Sequence, residues 1–157
     1  MPIYSSANEP ALGAEMPALG RRWTLTDFQE RHELVYGPGR IVPESWPERN
    51  VHSDAEAAQR EGLPGPIASA PQLIALIHRQ MLMTFGQGWL SGGTIDVKMI
   101  KPVEVNDLTT AKGRVKGIEI VPGDGGTERR KVICDVWVER LGGVKVMVGT
   151  ASGLLSG

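Results

Sequence analysis

The sequence predicts an α+β fold in a single domain, an antiparallel β-sheet wrapped around one long central α-helix. Three observations predict it. Residues 71–85, PQLIALIHRQMLMTF, are apolar nearly all round a helix, the pattern of a helix covered by its neighbours. After Gly92 the apolar residues recur with a period of two, as in half-buried strands. Turn-like joins separate four such runs, so sequential neighbours are expected to pair, and one apolar helix needs a sheet to cover it.

At 157 residues the chain suits one domain with a proper core. Its 41% apolar and 22% charged content is that of an ordinary globular protein. The net charge is −1, and the longest basic run, Arg129-Arg130-Lys131, reads as a solvated strand end. A nucleic-acid surface is therefore not expected. Cys134 is the only cysteine and falls on the apolar face of a strand, which excludes an intrachain disulfide and a cysteine metal site. Three scattered histidines lack the spacing of metal ligands. Residues 71–85 are too short for a bilayer and contain His78-Arg79-Gln80. No secretory signal is visible, so a cytoplasmic location is expected.

Residues 1–22 carry prolines, glycines and small side chains without periodicity, and are expected to form a flexible arm before a domain over 23–157. Trp23-Thr24-Leu25 suggests a short strand. Thr26 with Gln29 resembles a capping box for a helix ending near Gly37. The stretch 37–49, GPGRIVPESWPER, is too rich in proline for a regular element and reads as a loop lining a site. Ser53 with Glu56 is a second capping-box pattern, which puts His52 just before a short helix. Ser69 or Ala70 caps the central helix, Pro71 fits its first turn and Gly86 ends it. The strands follow: one around Ile95, Val97 and Met99, one over 107–121, one with Val132, Cys134, Val136 and Val138 inward, and one returning from the Gly142-Gly143 hairpin.

Two stretches, NVHSDAEAAQREGLPGPIASAPQ and WLSGGTIDVKMIKPVEVNDLTTAKGRV, resemble the MaoC-like dehydratases and (R)-specific enoyl-CoA hydratases. The resemblance runs from about Trp23 to the C-terminus. It is carried by His52-x-Asp54 before a short helix, the Pro/Gly-rich approach to the long helix, and Lys101-Pro102-Val103 followed by Asn106-Asp107. It implies a hot-dog fold and action on acyl thioesters of coenzyme A or a carrier protein; no cofactor and no metal are expected. The family motif G-D-x-N-P-x-H places its histidine on His52. Its aspartate falls on Pro47 and its asparagine on Arg49, with Asn50 one place later. The histidine-glycine at the start of the family's long helix is here Ser69-Ala70.

Hydration of a 2-enoyl thioester needs a base for water at Cβ, a proton donor at Cα and hydrogen bonds to the carbonyl oxygen. The resemblance makes His52 the base, kept neutral by the adjoining helix N-terminus, with Asn50 beside it. Glu48 or Glu44 is expected to replace the missing acid, and the Ala70 amide, next to Ser69, to serve the carbonyl oxygen. Tyr36, Trp89 and Ile100 are candidates to line a pantetheine tunnel, and Trp46 to shape the acyl pocket. His32 is expected to face solvent, and His78 to be a polar break in the central helix. A hot-dog thioesterase and a non-catalytic subunit of a heteromeric hydratase are the alternatives. An open sheet edge points to a homodimer or a higher homo-oligomer.

Overall fold

The computed structural model describes residues 2–155. Its elements are β1 (Leu19–Arg22), α1 (Leu25–Tyr36), α2 (Ala55–Arg60), α3 (Ala70–Phe85), α4 (Gln87–Gly92), β2 (Thr94–Met99), β3 (Leu108–Pro122), β4 (Glu128–Arg140) and β5 (Val144–Leu154). The five strands form one antiparallel sheet in the order β1-β3-β4-β5-β2. Together with the helices this is the predicted α+β, single-domain arrangement.

Helix α3 begins and ends where its sequence directs. Ser69 is the N-cap, with its backbone N–H donating to Gln72 Oε1 at 3.0 Å, and Gly86 closes the helix at φ 53°. One face is sunk in the core through Leu73, Ile77, Met81 and Phe85, each fully buried. Opposite it stand Ala111 and Val115 of β3 and Val132, Cys134, Val136 and Val138 of β4, in the alternation the sequence predicts. The helix is not covered all round: Leu82 is 44% and Met83 42% exposed. The sheet takes only one face of it.

Pairing departs from sequence order at one strand. β2 lies beside β5 rather than β3, with Thr94 opposite Ser152 and Met99 opposite Met147. Pro102 interrupts the strand, and the buried Val103 accepts the Ala68 N–H at 2.8 Å. That contact leads residues 100–107 past the start of α3 to the far side of the sheet.

Local boundaries also shift. The first strand is Leu19–Arg22, not 23–25, and the cap of α1 is Thr24, not Thr26. Asp27 stands three residues after Thr24 and accepts its backbone N–H at 2.7 Å, which completes the box. Asp54, not Ser53, caps α2 by accepting from the Ala57 N–H at 2.8 Å, while the Ser53 hydroxyl donates to the Glu48 carbonyl. The turn α4 was too short to show a period. Of the residues expected as an arm, Tyr4 and Met16 sit in the core, and the Tyr4 N–H donates to the Thr84 carbonyl at 2.9 Å. Met1 and Ser156-Gly157, the outermost residues of the expected arm and domain, lie outside the described residues.

Candidate functional site

His52 sits in a turn pinned from two directions. Its own N–H donates to Asn50 Oδ1 at 2.9 Å, and the Ser53 and Asp54 amides fold back onto the Asn50 carbonyl. Across the turn, the Ile67 N–H donates to the Val51 carbonyl at 3.0 Å. The imidazole follows the same segment: Nδ1 lies 3.0 Å from the Ile67 carbonyl oxygen. A carbonyl can only accept, so Nδ1 carries the proton and Nε2 presents its lone pair. Burial pushes the His52 pKa below its ordinary 6.5. The Ile67 carbonyl opposes that shift, and the charge of Arg31 adds to it. Burial thus favours the neutral ring, the state expected of a base at this position.

A cavity of about 650 Å³ opens beside this turn, lined by His52, Asn50, Tyr36, Trp46, Arg31 and Glu61 among others. Asn50 ties the lining together, because its Nδ2 donates to Tyr36 Oη at 3.1 Å while its Oδ1 holds the His52 amide. Two more arginines reach the cavity already neutralised: Arg49 pairs with Asp54 at 2.6 Å, and Arg60 approaches Glu56 at 3.6 Å. Arg31 has no ion pair among the described residues. It also lines a second cavity of about 530 Å³ between α1, α3 and β1.

The structure brings His52, Asn50, Tyr36 and Trp46 together at one cavity, and leaves the other sequence candidates off its lining. Glu44 and Glu48 are exposed and line neither cavity; Glu48 contributes its backbone carbonyl to Asn50 and Ser53. Ser69 is buried, with its hydroxyl donating to Gln72 Oε1. Ala70, half-buried, is the first residue of α3, so its N–H has no acceptor within the helix. Trp89 packs edge-on against His78 at 5.2 Å and lines neither cavity, and Ile100 is exposed. His32 does not face solvent: its ring stacks on Tyr36 at 4.8 Å. The i, i+4 spacing on α1 was the available signal. Arg31 lies one residue before it, and nothing in a linear reading joins it to His52.

The second stretch of the sequence resemblance folds against the first. Ile67 bridges Glu104, and Ala68 bonds Val103, so Lys101-Pro102-Val103 braces the segment that carries the His52 hydrogen bond. Asn106 has φ 72°, a left-handed conformation that asparagine tolerates better than most residues and glycine adopts freely. Asp107 then closes the turn by accepting the Glu104 N–H at 2.9 Å.

Comparison with solved structures decides the architecture. A MaoC-like dehydratase from Rhodospirillum rubrum aligns over 94% of this chain and 93% of its own, with TM-score 0.68 and 19% identity. An R-hydratase from Pseudomonas aeruginosa aligns over 94% and 83%, with TM-score 0.65 and 21% identity. The chain has the hot-dog fold of these proteins. The ChsH1–ChsH2 complex from Mycobacterium tuberculosis matches as well, over 93% of this chain and 97% of that one, with TM-score 0.64 and 18% identity. No protein-family model and no curated protein matches the chain. Within the hot-dog frame α3 is the central helix, and the His52 turn is hydrogen-bonded to the segment that leads into it. Among the described residues no helix is long and apolar enough to cross a membrane, and no group of three His, Cys, Asp or Glu could hold a metal ion.

Proposed function

We propose that this protein is a hydratase/dehydratase that adds or removes water across the Cα–Cβ double bond of a 2-enoyl thioester, on coenzyme A or a carrier protein. The observation that carries the reading is His52, a neutral imidazole with Nδ1–H spent on Ile67 and no partner for Nε2 among the described residues, lining a cavity of about 650 Å³. A free imidazole nitrogen takes a proton from water as its oxygen bonds to Cβ. The Ala70 N–H, unpaired among the described residues at the start of a helix of 16 residues and three residues beyond the Ile67 carbonyl that holds His52, is the donor assigned to the thioester oxygen, although Ala70 does not itself line the cavity. Such an assignment needs no metal and no redox cofactor.

The working unit is a homodimer. β2 is an edge strand whose outer side has no partner among the described residues, and an open edge invites a second copy. Purified protein given crotonyl-CoA and bulkier 2-enoyl-CoAs is expected to remove the conjugated absorbance without releasing thiol. Thiol release alone would make it a thioesterase. That alternative has little support here, since residues 67–70 offer no carboxylate at the start of α3.

One observation favours a second reading. Pro47 stands where the resembled motif has aspartate, and Glu61, an exposed residue, is the only carboxylate lining the cavity. A non-catalytic subunit that completes a heteromeric hydratase would tolerate this. Turnover by the protein purified alone excludes that reading.

A further inference from the structure

The His52 cavity contains a base without a carboxylic partner, and the group linked to that base is a phenol. We propose that Tyr36 is the general acid of the reaction and delivers the proton to Cα of the bound enoyl thioester. This role rests on the hydratase reading above. Tyr36 Oη accepts the Asn50 Nδ2 hydrogen bond at 3.1 Å, which occupies a lone pair and leaves the phenolic proton for a different acceptor. Among the described residues it has none. Asn50 is the positioning residue: the same amide holds the phenol by its nitrogen and the His52 backbone by its oxygen. Acid and base are thus set by one side chain on one cavity wall.

The ring is placed for the work. His32 stacks on it at 4.8 Å with 26° between the planes, and the Arg40 guanidinium lies 5.2 Å from its centroid. Among the described residues Arg40 is held by the carbonyls of Val42, Pro43 and Trp46 and pairs with no carboxylate. That guanidinium and the His32 ring flank the phenol ring and hold it in place. Glu61 has neither link: it is exposed, at the end of α2, and has no hydrogen bond to the His52 turn.

In the hydration direction the water oxygen bonds to Cβ while its proton passes to His52 Nε2. The π electrons move toward Cα and the thioester oxygen. A C–H bond then forms at Cα with the Tyr36 proton, and the phenol oxygen keeps the electron pair beside the Asn50 N–H. The proton on His52 returns to that oxygen through a solvent water, which restores both groups. Dehydration runs the same steps backwards.

The test compares wild type with Tyr36→Phe, which keeps the ring stack and removes only the hydroxyl. Tyr36→Phe should unfold at the wild-type temperature, keep its KM and lose about 10²-fold or more in kcat. A second variant carries 3-fluorotyrosine at position 36, a more acidic phenol; it should move the alkaline limb of the kcat/KM profile to lower pH. A merely structural role moves no such limb. Tyr36→Phe with wild-type kcat, or an alkaline limb that ignores the fluorine, overturns the role and leaves the hydratase reading standing. Loss of kcat in Glu61→Gln with full activity in Tyr36→Phe hands the role to Glu61. A wild type inert toward every enoyl-CoA overturns both readings together.

Discussion

The proposed role of His52 as a base follows from its surroundings. Burial disfavours the imidazolium, Arg31 adds to that, and the Ile67 carbonyl claims the Nδ1 proton. The acid limb of activity is therefore expected to have its midpoint below pH 6.5. Arg31→Met removes one of the two lowering influences, so that midpoint should move upward, as the pH profile or imidazole NMR titration of the variant would show. An unmoved midpoint would separate Arg31 from the site. The same shift links to stability. The folded-state value lies below the unfolded one, so the contribution is present above pH 6.5 and is lost as pH falls through the folded-state value. His52, Asn50 and Tyr36, which line one cavity, were marked in the sequence by a motif resemblance and a proline-rich loop. Ile67 and Arg31 were not, since their effects arise from chain crossings. The expected carboxylates failed to line the cavity because the loop turns its backbone, not its acids, toward Asn50. Cys134, read as a buried hydrophobe, is one: burial, with help from Asp135, pushes its thiol up to about 12.

At the scale of elements the molecule depends on α3 meeting the sheet closely. Gly153 of β5 lies under the Phe85 ring, so a Cβ there would collide with it. The ring cannot swing away freely, because Tyr4 packs against it edge-on at 5.8 Å. Gly153→Ala is expected to lower stability by about 1–3 kcal/mol, read from the urea midpoint. Leu73, fully buried on the same helix, should cost about 2–5 kcal/mol when cut to alanine. A neutral result at both positions would mean that α3 is not seated as described. The long helix and the β3–β4–β5 meander were readable because periodicity and glycine-marked turns act locally. The pairing of β2 with β5 was hidden, since it depends on Val103 docking at the start of α3. Threonine-x-x-aspartate at Thr24 competed with a neighbouring pattern two residues on, and the carboxylate won the cap.

For the whole molecule, the sheet has an edge at β2 and the central helix exposes Leu82 and Met83. A homodimer is expected, and sedimentation should show a species of twice the chain mass; a lone monomer at micromolar concentration would remove the dimer from the account. The fold as a whole was legible because one apolar helix and a set of amphipathic strands allow few arrangements. Catalysis was less so, since a fold hosts many chemistries and only the site selects one. The decisive assay is hydration of 2-enoyl-CoAs by wild type and by His52→Ala, followed by loss of the conjugated absorbance. Turnover by wild type is expected, with a loss of about 10²-fold or more in kcat for a correctly folded His52→Ala. Equal rates in the two proteins would contradict the proposed role of His52.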